Sequence, residues 1–275
     1  MAATRALRSQ WLRLAALLLL CTLALQLYFV ARIALMAVID PQSTSFQRSE
    51  AWRLLTEQHH LSWSQDWVAD AQLGNAIKRA VIASEDAGFN DHNGVEWDAL
   101  EKAWAKNQKA EAVAEQRRSQ IERRQAQAGQ RAAARPGATA ATAPPQPARQ
   151  IVPKVVGGST ITQQLAKNLF LSGERTVLRK AQEFMLTLTL EALLSKQRIL
   201  AIYLNNVEWG EGVFGAQAAA RHYFHTDALR LDNNAAARLA VMLPAPKRFE
   251  KNPGSAYVSG RATTIAARMG AVALP

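Results

Sequence analysis

Two clusters of charged side chains carry the chemistry open to this sequence. The first lies in residues 84–94, SEDAGFNDHNG. Upstream of it, Ile77, Val81 and Glu85 recur every four residues, so a helix through them carries Glu85 on its apolar face near its C-terminal end. Poor hydration and the negative helix end both disfavour the ionised carboxylate and raise its pKa. A general base working near neutrality needs that property. The plainer alternative is that Glu85 and Asp86 end a helix while His92 and Gly94 shape the turn after it.

The second cluster is cationic. Arg175, Arg179, Lys180 and Glu183 share one helical face at offsets of three and four residues. Arg175 over Arg179 is a like-charge pair, and Arg before Glu is the weaker orientation for a helical ion pair, so helix stability does not select the arrangement. A polyanion would turn the repulsion into charge-assisted hydrogen bonds, with Lys167 reaching over from the preceding helix and the Ser159 and Thr160 amides at that helix's N-terminus. The alternative is a solvated basic face with one internal salt bridge. Together the clusters define a reaction class. An activated sugar whose leaving group is a diphosphate needs cations to hold that group and one carboxylate to take the acceptor's proton, and such a displacement inverts the anomeric centre.

These clusters need elements to position them. Thr160 and Gln163 have capping-box spacing, opening a helix with the buried stripe Ile161, Leu165 and Leu169 and with Gln163, Gln164 and Lys167 on the polar side. Further helices are predicted over about 176–194, 196–204, 215–224, 233–243 and 258–269, and near 50–58 in a connector that spans 41–72. Residues 98–127 read as a solvated helix and 132–147 as a mobile tract with four prolines. No stretch alternates as a strand does, so an all-α domain over residues 73–275 is expected, with a flexible basic and Pro-rich insert at about 105–153. His59, His60, His222 and His225 lack acidic or cysteine partners at ligand spacing, and Asn205, Asn206 and Glu208 read as braces of the cleft.

Residues 14–30 are almost entirely apolar and continue to residue 39 with only Arg32 intervening, enough to cross a hydrocarbon core of about 30 Å. Residues 1–40 are thus expected to be a cytoplasmic tail and a single-pass anchor. Arg5, Arg8 and Arg13 precede the span, so the N-terminus is expected in the cytoplasm and the chain after about residue 41 outside. The single cysteine, Cys21, lies in the span, which excludes a disulfide framework and a cysteine-based zinc site. The net charge of +11 gathers at the N-terminus and in residues 102–149, where ten Lys and Arg face three Glu, leaving the remainder close to neutral. Without interleaved aromatic residues, those tails do not make a nucleic-acid surface.

Four ordered stretches carry a resemblance: Glu85-Asp86-x-x-Phe89-x-x-His92-x-Gly94, the run from Gly157 to Asn168, Arg179-Lys180-Ala181-Gln182-Glu183, and the run from Lys196 to Asn205. Together they resemble the motifs of the family 51 peptidoglycan glycosyltransferases over residues 65–100 and 155–275. No serine is followed three residues later by lysine, so the similarity is to the monofunctional members without an acyltransferase half. The resemblance implies a lysozyme-like helical glycosyltransferase domain with a small membrane-dipping lobe, acting on lipid II and lipid-linked glycan at the outer face of a bacterial inner membrane. It implies Glu85 as base toward the acceptor 4-hydroxyl, and Lys167, Arg175, Arg179 and Lys180 on the donor diphosphate. Glu183 would orient these cations or share a divalent cation, Mg or Mn, that the chemistry does not require. Ser159, Thr160, Gln163 and Gln164 would line the cleft, and Asp86 and His92 would join the substrate-binding set. Implied partners are the phospholipid bilayer and other cell-wall synthesis or division proteins, with no nucleic acid. Two rival readings stay open: a lysozyme-like glycan-cleaving enzyme with Glu85 as acid, and a non-catalytic anchored envelope scaffold.

Overall fold

A computed structural model describes residues 2–133, 158–171, 174 and 176–275. Its elements in chain order begin with α1 (Ala2–Leu35), α2 (Ser45–Glu57), β1 (Ser64–Gln65), α3 (Asn75–Glu85) and α4 (Trp97–Ala133). Then come α5 (Ile161–Phe170), α6 (Val177–Leu193), α7 (Lys196–Asn206), β2 (Glu208–Gly210) and β3 (Val213–Phe214). The chain closes with α8 (Ala216–Phe224), α9 (Asn233–Met242), α10 (Pro246–Phe249) and α11 (Ala256–Met269). The domain is all-α and lysozyme-like, as the periodicity and the motifs predict, save for one small sheet.

Two packing groups make the core. Helix α3 lies against α9 and α11, and α5 lies against α2, α6 and α7. Ile77 and Val81 of α3, Leu165 and Leu169 of α5, Ile199 and Ile202 of α7, and Leu239 of α9 are shut off from solvent. Removing each such side chain from water contributes roughly 1.5–3 kcal/mol. The helix starts are written in the sequence by oxygen-bearing caps. Thr44, Thr160, Thr176, Ser195, Asp232 and Ser255 each accept a backbone N–H of the first turn, and Thr44–Gln47 and Thr160–Gln163 are full capping boxes. The Thr44 box starts α2 five residues before the expected position near residue 50.

The sheet has the order β1-β3-β2, with β1 parallel to β3 (Ser64 opposite Val213) and β2 antiparallel to it (Glu208 opposite Phe214). Its strands of two and three residues are too short to show alternation, which is why sequence patterning misses them. Gly212 joins β2 to β3 at φ +72°, where a Cβ would stand 2.0 Å from the Ser62 carbonyl oxygen. Only glycine fits there.

Residues 1–95 and 159–275 form one unit, and residues 96–158 form a second. The C-terminal end of α1 enters the core of the first unit, with Ile33 and Met36 buried. Arg198 of α7 closes that helix end, donating to the carbonyls of Met36 (2.7 Å) and Ile39 (3.2 Å) and pairing with Asp40 at 2.8 Å. The second unit carries α4, which begins before the predicted insert. Most of the Pro-rich tract expected to be mobile, and Arg175 of the cationic cluster, lie outside the described residues. In the first unit the chain leaves and returns at one point, because the Thr160 hydroxyl donates to the Gly94 carbonyl at 2.6 Å.

Candidate active site

Glu85 is the last residue of α3, on the helix whose apolar face buries Ile77 and Val81. The Gln164 amide of α5 donates to its Oε2 at 3.0 Å, and Tyr203 of α7 donates to Gln164 Oε1 at 2.9 Å, a chain that aims the amide. Burial pushes the Glu85 carboxyl above the ordinary carboxylate range, and the neighbouring Asp86 charge adds to the rise. The Gln164 and Ser84 hydrogen bonds pull the other way without cancelling it. Burial likewise pushes the Tyr203 phenol well up, so it stays a hydrogen-bond donor.

One cavity of about 420 Å³ lies beside this carboxylate. Ser159, Gln163, Gln164, Lys167, Asn168 and Leu171 line it from α5 and its flanks, Arg179, Lys180 and Glu183 from α6, and Phe46 and Ser49 from α2. Gln164 lines the cavity with one face and holds Glu85 with its amide. Glu183 is buried and ion-paired with both Arg179, at 3.0 Å, and Lys180. A buried acid bridging two bases fixes their heads and offsets their repulsion. Among the described residues Arg179 Nε has no hydrogen-bond partner, which leaves that guanidinium a donor in reserve. Lys167 stands on the cavity wall. Burial draws its ammonium below the ordinary value; Glu183 opposes the drop, and Arg179 and Lys180 add to it.

Three residues expected to meet substrate turn inward instead. The Asp86 carboxylate is buried, accepts the Ile161 N–H at the start of α5 (3.0 Å) and bonds the His92 Nε2 at 2.8 Å. His92 Nδ1 accepts the Gly94 N–H at 3.1 Å, so Nε2 carries the proton given to Asp86. Thr160 is buried, spent on its cap and on the Gly94 carbonyl. None of the three lines the cavity. They weld the first motif to the second and so hold Glu85 against α5. The fourth motif does similar work: Lys196 donates to the His92 carbonyl at 2.6 Å and to Glu191 at 2.8 Å, with its ammonium over the Phe89 ring. Asn205 braces the segment before α3, exchanging hydrogen bonds with the backbone of Val68.

Glu183 does not fit the role of a metal ligand. Its two oxygens are taken by Arg179 and Lys180, and one carboxylate amid three cations is a poor donor set for a divalent ion. Sequence patterning also misses Phe46, Ser49, Asn168 and Tyr203. Asn168 and Tyr203 lie within two of the four ordered motifs, whereas nothing in the local pattern of 41–72 points its residues at the site.

A desolvated carboxylate facing a cationic cleft on a lysozyme-like helical scaffold defines a glycosyl-transferring enzyme whose leaving group is an anion. The transglycosylase family matches residues 53–120 and 148–270, and the chain belongs to that family. It is similar to the biosynthetic peptidoglycan transglycosylase of Burkholderia pseudomallei, 46% identical over 253 residues that cover 92% of this chain and 83% of the relative. The protein of that name from Paraburkholderia phytofirmans is 43% identical over 262 residues, 95% and 92% of the two chains. The one from Cupriavidus metallidurans is 45% identical over 275 residues, 97% and 99%.

Proposed function

We propose that the chain polymerises peptidoglycan glycan strands by moving a lipid-diphosphate-linked glycan onto the 4-hydroxyl of lipid II. Glu85 takes the proton of that hydroxyl, and the oxygen attacks the donor's anomeric carbon from the face opposite the diphosphate. The bond from carbon to the diphosphate oxygen breaks, its electron pair departs with the lipid diphosphate, and a β-1,4 linkage forms with inversion. Lys167, Arg179 and Lys180 hold the diphosphate and its growing charge, Glu183 orients the two bases of α6, and Arg175 is assigned to the same cluster from its sequence position. Ser159, Gln163 and Gln164 lie along the sugar path.

One observation carries this reading: a single cavity joins the amide that holds Glu85 to the three described cations. A glycan-cleaving enzyme would leave those cations without a substrate group to bind. Purified protein given labelled lipid II in detergent should yield long β-linked glycan. Glu85→Gln should lower the rate about 10²–10⁴-fold. Cleavage of finished, lipid-free glycan by the wild type would favour the lytic alternative.

The segment Gln10–Leu35 within α1 is long and apolar enough to cross a membrane. Arg5 and Arg8 before it and Arg13 in its first turn support an N-terminus in the cytoplasm and a catalytic unit on the periplasmic side of the inner membrane. Helix α6, paired with α1 through Gln26 and Gln182 at 2.9 Å, exposes Val177, Leu178, Met185 and Leu188. Such a patch supports contact of this lobe with the lipid that feeds it substrate.

A further inference from the structure

We propose that Phe46 of α2 is a sugar-contacting residue of the donor cavity, giving the apolar ring face of the hexosamine beside the diphosphate an aromatic platform. The inference rests on the glycosyltransferase reading above and names a residue outside the four motifs.

Helix α2 is pinned on its inner side. Gln47 completes the Thr44 capping box and reaches the carbonyl and side chain of Asn206 at 3.4 Å, Glu50 pairs with Arg53 and Lys247, and Leu54 is fully buried. With those positions fixed, Phe46 and Ser49, three residues apart on one helical face, line the cavity. The Phe46 ring is half-buried and held edge-to-face with Phe214 at 6.3 Å, and Phe214 in turn packs on Trp63 at 4.5 Å. An aromatic row therefore sets the ring's position before substrate arrives. Ser49 donates its hydroxyl back to the Phe46 carbonyl at 2.8 Å, so α2 offers the cavity an apolar surface rather than a new donor.

The ligand chemistry follows from what else lines the space. Apart from Phe46 and Leu171, the lining side chains are polar or charged. A prenyl chain asks for a continuous apolar trough, whereas a hexosamine asks for hydrogen-bonding groups around its rim and one flat apolar surface. The donor's anomeric carbon is bonded directly to the diphosphate, so a diphosphate on Lys167, Arg179 and Lys180 brings the first sugar into the same cavity. Among the described residues, Phe46 is the only aromatic side chain lining it.

The test compares Phe46→Ala, Phe46→Leu, Phe46→Tyr and Phe46→Trp in the full chain, with steady-state kinetics on lipid II carrying either a long or a short prenyl chain. Thermal unfolding runs alongside. Loss of the ring in the Ala and Leu variants should raise KM about 3- to 10-fold, with a smaller change in kcat, equally for both prenyl lengths. Tyr or Trp should restore it. Unchanged KM in Phe46→Ala with wild-type polymerisation intact overturns the proposal and leaves the glycosyltransferase reading standing. So does a KM rise confined to the long-prenyl substrate, which assigns Phe46 to the lipid, or one that tracks lost thermal stability and is not restored by Tyr. A wild-type protein that forms no glycan at all overturns both.

Discussion

Burying the Glu85 carboxylate carries a cost to folding. The carboxyl has a raised pKa in the folded protein, so the folded state binds that proton more tightly than the unfolded chain, whose value is 4.5. The associated stability is fully present below the unfolded value and is lost as pH rises through the folded one. Glu85→Gln should therefore raise the melting temperature at neutral pH while removing polymerisation, a divergence that calorimetry beside a lipid II assay would reveal. As the proposed base, the same residue is expected to set the acidic limb of the rate profile, since only the ionised form accepts a proton. As a proposed ligand of the diphosphate, Lys167 is expected to set an alkaline limb below the ordinary lysine value of 10.5, because its ammonium is held low. A bell-shaped dependence of kcat/KM on pH is expected, and its alkaline limb should move upward in Lys167→Arg. Glu208 poses a similar question away from the chemistry. Burial pushes it up to about 7, with Lys247 opposing and Glu50 and Glu250 adding to the rise. Its contribution to stability is thus lost between about pH 4.5 and 7, on the order of 3 kcal/mol, and Glu208→Gln should flatten the fall in melting temperature over that window.

Between helices, the junction of α3 with α5 sets Glu85 beside the Gln164 amide that lines the cationic cavity. Asp86 satisfies the first N–H of α5, and Thr160 caps the same helix while holding Gly94. Gly94 itself has φ +83°, and a Cβ there would stand 2.7 Å from Thr187 of α6. Thr160→Ala should cost roughly 1–2 kcal/mol for the cap and the lost bond to Gly94, and Asp86→Ala about 2–3 kcal/mol for stranding buried donors. Both are expected to show as lower denaturant midpoints. If these side chains served substrate rather than the junction, kinetics would suffer with the midpoints unmoved. The capping boxes, the Ile77–Val81–Glu85 spacing and the stripe of α5 were legible in the sequence because they repeat within one or two turns. The sheet and the cavity-facing side of α2 were not: the strands are too short to alternate and β1 meets β3 across about 150 residues, and the partners that orient α2 lie more than a hundred positions away.

For the molecule as a whole, the chain departs from the first unit after residue 95 and rejoins it at residue 159, where Gly94 and Thr160 touch. Closing a long excursion between fixed neighbours costs little more than closing a short one. The family match is itself interrupted between residues 120 and 148. Deleting residues 121–147 should therefore leave the melting temperature and lipid II polymerisation close to wild type; a collapse of either would show that the segment is part of the working fold. The two tails that hold most of the positive charge were visible from composition, as was the apolar run of α1. That α1 is clasped by Arg198 and enters the core was not, because an apolar helix long enough for a membrane looks the same whether or not its end is docked. Residue types and local period settled which groups could react, where helices begin and which run is apolar. Tertiary structure decided that Asp86, His92 and Thr160 serve the scaffold while Phe46 faces the cavity. A helical period sets only the angle at which a side chain leaves its axis; whether a polar group meets solvent, substrate or a buried partner depends on which distant segment packs there.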